Sequence, residues 1–287
     1  MTDALVLGGG GVAGVAWELG VLQGIADEDP QLASRVIGAD RIIGTSAGSA
    51  VAVQITSGTP LEALYAAQLA EETEVIEVGF DPAAMIAGWS AAMRPTADGR
   101  PPEPAEIRRR IGAMALAAPT TDEATRLKMH EAHLPSTQWP ATDLAITAVD
   151  AESGELVVFR RDSGVRLLDA VTASCAVPGL WPPATIGDRR YIDGGIRSVA
   201  NVDLAAGVDH VLVVTPQRDG SPSAYGPSTA EQVADLAPAK ALLIGADDAS
   251  IEAFGANWLS LTTRAPSAIA GRAVGRAQAA VLGALWS

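Results

Sequence analysis

The sequence predicts an α/β protein whose central sheet is mainly parallel. An apolar, strand-like run at residues 5–7 leads into a glycine loop and then into a helical apolar pattern over residues 15–22. A second strand-like run, at residues 41–43, again leads into a glycine-rich turn and a helix-compatible stretch. Because parallel strands need a crossover connection, this β-α-β-α order predicts a parallel sheet covered by helices.

The chain length favours one large domain. With 287 residues and 48% hydrophobic content, the chain can bury a sizeable core, and we expect a single domain over residues 1–287. Residues 60–135 change to an Ala-rich and Glu-rich helical pattern, which the proline-rich stretch 94–104 interrupts. We interpret residues 60–135 as a helical insertion or lid over the site. A linker between two domains is the alternative.

The second half returns to strands and then becomes helical. Strand-like runs lie at residues 144–149, 156–159 and 210–214, whereas residues 217–229 are rich in Pro, Gly and Ser and predict a loop. We expect a helical C-terminal part over about residues 230–287. Its apolar helical pattern is expected to pack on the body of the protein; a helix that contacts a membrane is the alternative.

Composition excludes several classes of function. A formal net charge of −14 argues against binding nucleic acid and against electrostatic recruitment to anionic membranes. The single cysteine, Cys175, excludes an internal disulfide framework and a cysteine-based metal site. No run approaches the roughly twenty apolar residues of a membrane span. We expect a cytoplasmic protein, or one peripheral to a membrane; the sequence does not predict its oligomeric state.

Ser46 lies where a nucleophile elbow would place a reactive serine. The segment 44–48 reads GTSAG and stands between the second strand and a helix. So sharp a turn holds the serine in strained backbone geometry, and a Cβ at Gly44 or Gly48 would collide with a neighbouring element. The helix N-terminus behind the serine favours developing negative charge. A small-residue turn without function is the alternative.

The N-terminal glycine run has two interpretations. Gly9, Gly11 and Gly14 satisfy the G-x-G-x-x-G pattern of a dinucleotide site, for which Asp27 or Asp29 would be the ribose acid. Consecutive backbone N–H groups without side chains can equally hold an oxyanion. The loop alone does not decide between these uses, but a serine elbow one strand later favours the oxyanion.

Asp193 is the preferred base for the serine. It ends a short apolar run, and Gly194 and Gly195 behind it allow a tight turn and a close approach of another element. Partial burial would raise the carboxylate's basicity. The alternative is a hairpin turn at Asp-Gly.

The three histidines are weaker candidates. His210 follows Ser46 and Asp193 in the chain order of a hydrolase triad, but it opens a strand. His130 and His133 have the wrong spacing for a zinc helix, and we expect both on a solvated helix face.

Four blocks together resemble the patatin-like phospholipases. They are the glycine run with its helix, the GTSAG elbow, the segment 173–183, and the segment 191–195 with Asn201 beyond it. Their order and spacing agree over roughly residues 4–215. The resemblance implies a three-layer α/β/α fold and a Ser46–Asp193 dyad that works without histidine.

The same resemblance implies the rest of the site. The oxyanion hole would use backbone N–H groups of Gly9, Gly10 and Gly11, with Gly14, Gly44, Gly48, Gly194 and Gly195 supporting the motifs. Residues 174–183 would form a wall of the site, although structural packing explains that segment equally well. The substrate would be a fatty-acyl ester of a lipid, with no metal and no cofactor, and with transient contact to a membrane or micelle.

One position departs from the family pattern. Family members usually place Arg or Lys just before the last glycine of the loop, where this chain has Ala13. The head group of the substrate is therefore left open. Acyl transfer to another alcohol, an inactive lipid-binding protein and a nucleotide-binding module remain the alternatives to ester hydrolysis.

Overall fold

The computed structural model describes residues 1–70, 82–223 and 226–286. The strands are β1 (Asp3–Leu7), β2 (Arg41–Thr45), β3 (Asp143–Asp150), β4 (Leu156–Phe159), β5 (Ala184–Ile186), β6 (Arg189–Asp193), β7 (His210–Thr215) and β8 (Lys240–Gly245). The helices are α1 (Gly11–Glu28), α2 (Pro30–Ile37), α3 (Ala47–Thr56), α4 (Leu61–Leu69), α5 (Pro82–Ala92), α6 (Pro104–Ala117), α7 (Glu123–His133), α8 (Leu167–Ser174), α9 (Thr229–Ala234), α10 (Asp248–Phe254) and α11 (Arg264–Trp286). Short 3-10 turns complete the fold, among them Gly194–Ile196 directly after β6.

The strands form one mixed sheet. β8, β7, β1, β2 and β3 are parallel neighbours in that order, while β4 and β6 run antiparallel to β3 and β5 runs antiparallel to β6. The predicted α/β class with a mainly parallel sheet is confirmed.

The pairing register of β3 decides where the site forms. Thr147 pairs with Thr45 of β2 and with Val158 of β4, whereas Ala148 pairs with Asp193 of β6 and also with β4. A strand has only two edges, and β4 occupies one of them along residues 146–149, which include the ends of both other pairings. β2 and β6 therefore share the other edge of β3 and run toward each other, so the carboxyl ends of both strands meet there.

Helices cover the two faces of the sheet. Successive side chains of a strand point to opposite faces, and in β1 Leu5 and Leu7 join the core beneath α1, α3, α8 and α11, whereas Ala4 and Val6 join a second core. That second core includes Val202 and Leu236 on the other side. The arrangement is a three-layer α/β/α architecture.

Glycines bring α1 and α11 into very close contact. A Cβ at Gly20 would lie 2.2 Å from the carbonyl oxygen of Ala268, and one at Gly275 would lie 2.0 Å from that of Val21. Asp27 of α1 accepts hydrogen bonds from Arg272 and Arg276 of α11. The C-terminal helix thus packs on the body of the protein, as predicted.

Residues 60–135, interpreted above as a helical insertion or lid, form four helices in the part that the structure describes. Helices α4, α5, α6 and α7 stand between α3 and β3, and the proline-rich stretch separates α5 from α6. Residues 71–81 of the insertion lie outside the described residues, as do residues 224 and 225 of the predicted loop. The C-terminal part differs from the prediction, because it contains β8 as well as helices. Lys240–Gly245 extends the parallel sheet next to β7.

None of the helices in the described parts of the chain combines the length and the apolar character needed to cross a lipid bilayer.

Candidate active site

Ser46 occupies a strained turn between β2 and α3. Its backbone has φ 53° and ψ −117°, a conformation that residues other than glycine rarely adopt. A Cβ at Gly44 would lie 2.6 Å from the Cα of Ser49, and one at Gly48 would lie 2.2 Å from the carbonyl oxygen of Leu7. Only glycine therefore permits both approaches, and the strained geometry of Ser46 depends on them.

The side chains of Asp193 and Ser46 meet where strands β6 and β2 end. Ser46 follows β2 and Asp193 ends β6, and these two strands share one edge of β3. Ser46 Oγ donates a hydrogen bond of 2.7 Å to Asp193 Oδ2, and both side chains are buried. The other carboxylate oxygen, Oδ1, accepts from the backbone N–H of Gly195 at 2.7 Å. The Asp-Gly pair forms no hairpin, because a 3-10 turn follows β6 directly.

Burial controls the charge of the carboxyl group. Desolvation raises the pKa of Asp193 to about 6, although the hydrogen bonds from Ser46 and Gly195 and the charge of Arg126 act to lower it. At neutral pH the group is mainly a carboxylate. It is also a stronger proton acceptor than an exposed aspartate.

The glycine loop lies directly against the serine. A Cβ at Gly9 would stand 3.3 Å from the Cβ of Ser46. The Gly9 N–H, however, donates to the carbonyl oxygen of Val199 at 2.8 Å. In contrast, the N–H groups of Gly10 and Gly11 make no hydrogen bond to any described residue. The predicted oxyanion hole used the N–H groups of Gly9, Gly10 and Gly11. In this conformation only the N–H groups of Gly10 and Gly11 lack a partner among the described residues, because the Gly9 N–H is already hydrogen-bonded.

Two contacts tie the glycine loop to the elbow. The carbonyl oxygen of Gly8 accepts from the N–H of Gly48 at 2.8 Å. Gly14, in the first turn of α1, packs closely against Ala47. A Cβ added at Gly14 would lie 3.3 Å from the Cβ of Ala47. Ala47 follows Ser46, and its own N–H makes no hydrogen bond to the described parts of the chain. In α/β-hydrolases the equivalent N–H serves the oxyanion hole.

A buried carboxyl group holds the start of the glycine loop. Glu18 Oε1 accepts from the N–H of Gly8 at 2.8 Å, while Oε2 is buried with no partner among the described residues. Burial raises the pKa of Glu18 well above its usual value and so favours its protonated form. Sequence analysis missed this residue; an acid within the apolar pattern of α1 was the available signal.

The backbone of Ser46 is fixed by the segment 174–183. Ser46 N–H donates to Ser174 Oγ at 2.9 Å, and Cys175 Sγ donates to the carbonyl oxygen of Ser46 at 3.2 Å. Burial raises the pKa of Cys175 to about 12, so the thiol stays protonated. This segment was predicted as a site wall, and its first two residues contact the elbow.

Asn201 joins the elements beneath the dyad. It is fully buried, and its Nδ2 lies within hydrogen-bonding distance of Thr45 Oγ1 (3.1 Å), Thr147 Oγ1 (3.3 Å) and the carbonyl oxygen of Ser198 (2.8 Å). Its backbone is left-handed, with φ 49°. The amide thereby links the end of β2, the adjacent strand β3 and the segment after Asp193.

The structure brings no histidine to the dyad. His210 opens β7 at the opposite end of the parallel strands, where its Nδ1 lies 3.0 Å from Asp3 Oδ1. His130 is not on a solvated helix face, contrary to expectation: its Nε2 is buried without a hydrogen-bond partner in the described residues. His133, one turn further along α7, is exposed.

The residues considered for a dinucleotide serve the fold instead. Asp27 is engaged by two arginines of α11, and Asp29 caps α2 by accepting from the N–H groups of Gln31 and Leu32. Within residues 1–70, 82–223 and 226–286, no group of three or more His, Cys, Asp or Glu side chains is arranged to hold a metal ion.

Ser46 is thus a strained serine that is hydrogen-bonded to a buried aspartate and lies beside a glycine loop in which the N–H groups of Gly10 and Gly11 have no partner among the described residues. The family model for patatin-like phospholipases matches residues 5–206, well over half of the chain. The chain belongs to the patatin-like phospholipase family. Membership supports lipid acyl hydrolysis at the level of the family.

Solved structures provide more distant similarities. VipD from Legionella pneumophila is 12% identical with a TM-score of 0.45; the match covers 98% of this chain and 66% of VipD. The type III effector protein ExoU is 18% identical with a TM-score of 0.42, over 98% of this chain and 53% of that chain. This chain thus spans about two thirds of the VipD chain and about half of the ExoU chain.

Proposed function

We propose that this protein is a serine hydrolase that cleaves fatty-acyl esters of lipids, with Ser46 as nucleophile and Asp193 as its proton acceptor. The observation that carries the proposal is the 2.7 Å hydrogen bond from Ser46 Oγ to Asp193 Oδ2 at a residue with positive φ. An ordinary structural serine has no need of such backbone strain. One domain contains the whole of this machinery.

The reaction follows from these positions. Ser46 Oγ attacks the carbonyl carbon of the ester while its proton passes to Asp193, which gives a tetrahedral intermediate. The proton then moves to the leaving alcohol, the ester C–O bond breaks, and an acyl-enzyme remains. Asp193 next takes a proton from water, which attacks the acyl carbonyl carbon. The proton then passes from Asp193 to Ser46 Oγ as the bond between the acyl carbon and Oγ breaks, which releases the fatty acid and restores both residues. The raised pKa of Asp193 suits both proton transfers.

Backbone N–H groups would stabilise the oxyanion. Gly10 and Gly11 offer free donors at the start of α1, where the helix dipole adds positive potential. The N–H of Ala47 is a further candidate at the start of α3. Gly9 allows the loop to approach Ser46 closely, but its N–H is hydrogen-bonded to Val199 and is not a donor to the oxyanion in this conformation.

Helix α5 is the proposed contact with a lipid surface. It carries no charged residue, and it exposes Ile86, which is 62% accessible. Met93, directly beyond the helix, is 39% accessible. The helix lies over the site wall, because Trp89 Nε1 donates to the carbonyl oxygen of Pro178 at 3.3 Å. A net negative protein would need such an apolar contact to reach lipid.

The dyad is tested by labelling and by substitution. A fluorophosphonate probe should add once to the wild type and not to Ser46→Ala, as read by intact mass. Asp193→Asn should abolish ester hydrolysis, while His210→Asn, placed at the far end of the strands, should leave it nearly intact. The reverse pattern would replace the dyad with a histidine mechanism. A folded wild type that takes no label would favour a lipid-binding protein without activity.

The lipid contact has a separate test. Ile86→Glu should lower hydrolysis of esters in vesicles and leave hydrolysis of dissolved short-chain esters unchanged, because only the first needs an apolar contact. Ile269→Glu is the matched control, since Ile269 on α11 is similarly exposed at 58%. Equal losses for both variants would reject α5 as the contact.

A further inference from the structure

Arg126 on α7 is a partly buried cation whose guanidinium forms no ion pair with any described residue. Its guanidinium carbon lies 3.8 Å from the centroid of the Trp181 ring. Across the part of the chain that the structure describes, the guanidinium also forms no hydrogen bond, and its Nε is buried without an acceptor. A guanidinium has five N–H donors, so removing it from water without partners is costly unless a ligand supplies acceptors.

The cavity beside Arg126 offers the guanidinium no unengaged carboxylate from the described residues that line it. The cavity has a volume of about 170 Å³ and is lined by Arg126 together with Pro182, Ala184 and Thr172. The other charged residues of its lining are already engaged. Arg166 donates to both oxygens of Asp169, at 2.7 and 2.6 Å, and Glu123 accepts from the backbone N–H and the hydroxyl of Thr185, both at 2.8 Å.

Arg126 also lies close to the dyad. Its positive charge acts on the carboxyl group of Asp193 and on the thiol of Cys175. Helix α8 connects the two places physically, since it provides Thr172 to the cavity and Ser174 to the backbone of Ser46. Burial lowers the pKa of Arg126 to about 10, which leaves the group protonated at neutral pH.

A second polar side chain lies one turn further along α7, and its ring Nε2 is buried without a partner among the described residues. Residues four apart share a helix face, and His130 follows Arg126 at that spacing. Burial, together with the charge of Arg126, holds the pKa of His130 well below its usual value, so the imidazole is neutral. It can therefore offer a ring N–H to a ligand without adding charge.

We propose that Arg126, assisted by His130, binds an oxyanion group, a phosphate or a carboxylate, on the ester that Ser46 attacks. The guanidinium fork matches the geometry of both anions and forms charge-assisted hydrogen bonds with them. The inference rests on the proposed function for the reaction itself, but the binding of the anion does not require hydrolysis.

Selectivity between esters provides the first test. Three soluble esters of one short acyl chain are compared: a neutral ester, one that carries a phosphate and one that carries a carboxylate. The wild type should prefer at least one anionic ester in kcat/KM, and the preferred ester identifies the anion. Arg126→Gln should reduce that preference about ten- to a hundredfold, mainly through KM. Lys128→Gln, an exposed residue on the same helix, removes the same charge and should leave the preference unchanged.

Two outcomes would overturn the inference. A wild type without preference for either anionic ester has no anion site at this position. Equal losses on all three esters in Arg126→Gln would assign Arg126 to packing against Trp181. If Arg126→Gln fails to fold by circular dichroism, Arg126→Lys retains the charge without the fork; it should keep a weakened preference, and an unweakened one would count against the guanidinium contact.

Calorimetry separates this inference from the proposed function. Butyl phosphate and butyrate are titrated into Ser46→Ala and into the double variant Ser46→Ala/Arg126→Gln. Binding to the first protein and not to the second supports the anion site, even if the wild type hydrolyses no ester and the proposed function fails. Absence of binding to Ser46→Ala overturns the anion site, even where ester hydrolysis is observed.

Discussion

The elbow around Ser46 and the helix pair α1/α11 both depend on glycines, for the same steric reason and with different consequences. A Cβ at Gly48 would lie 2.2 Å from the carbonyl oxygen of Leu7, and one at Gly275 would lie 2.0 Å from that of Val21. At the elbow the close approach holds Ser46 at φ 53°. Between the helices it simply brings two regular backbones together. The comparison separates packing that creates reactivity from packing that creates stability.

The two regions also differ in how the surroundings shift the pKa of an aspartate. Asp193 at the elbow forms no ion pair with any described residue, and burial raises its pKa to about 6. Asp27 between the helices accepts hydrogen bonds from Arg272 and Arg276, and the bond from Arg272 is the main cause of a pKa well below its usual value. Burial thus destabilises the ionised carboxylate at the elbow, whereas hydrogen bonds from two arginines stabilise the one between the helices. Four predictions test the comparison.

The largest effect is expected at the elbow itself. Ser46→Gly should reduce ester hydrolysis by about 10⁴-fold or more, because the proposed nucleophile is lost. The same change should raise the free energy of unfolding by about 1 kcal/mol, since glycine tolerates positive φ without strain. Activity assays and urea unfolding measure the two effects. A variant that is less stable than the wild type would show that the turn is not strained.

The helix pair should respond in the opposite way. Gly275→Ala should lower the free energy of unfolding by about 3 kcal/mol, because the added Cβ forces the helices apart. Hydrolysis per folded molecule should be unchanged. Gly283→Ala on the same helix is the control: its Cβ would meet only Leu32 Cδ2 at 3.7 Å, so helix propensity should stabilise it by roughly 0.5–1 kcal/mol. Equal effects of both changes would contradict the close packing.

The third prediction concerns pH. The carboxyl of Asp193 titrates near pH 6 in the folded protein and near 3.9 when unfolded, so its ionisation costs stability progressively between about pH 4 and 6 and fully above pH 6. Asp193→Asn should therefore be more stable than the wild type by about 2 kcal/mol at pH 8 and nearly equal to it at pH 4.

Activity has its own dependence on the same group. Under the proposed mechanism Asp193 must be ionised to accept the proton, so kcat/KM of the wild type should rise with pH through a midpoint near 6. Thermal melts and rate profiles across pH 4–9 measure both quantities. A stability difference independent of pH would exclude Asp193 as the titrating group.

The smallest effect is expected at Asp27. Asp27→Asn should lower the free energy of unfolding by about 1 kcal/mol at pH 7, because two partly exposed arginines lose their shared partner. The folded pKa of Asp27 is depressed, so its contribution is present above the unfolded pKa and disappears as the pH falls below it. Unfolding at pH 7 and at pH 3 tests this, and an equal loss at both values would contradict it.

The sequence allowed prediction of features that local chemistry controls. A strand, a sharp turn and a helix around Ser46 follow from residues 41–54 alone, because each requires only near neighbours and the glycines at 44 and 48. The parallel order of the first strands and the helical pattern of α11 follow from hydrophobic periodicity in the same way. β8 was missed because its short apolar run lies between helical patterns and only its neighbour β7 makes it a strand.

The tertiary structure decided those features that depend on contacts between residues far apart in the sequence. Ser46 and Asp193 are 147 positions apart, and they meet because β2 and β6 share one edge of β3. The engaged N–H of Gly9 likewise depends on a partner at Val199, far along the chain. By itself, the sequence determined which residues could react and which local turns would hold them. The register of the sheet and the burial of side chains determined which of them meet, since both arise from contacts that no local pattern records.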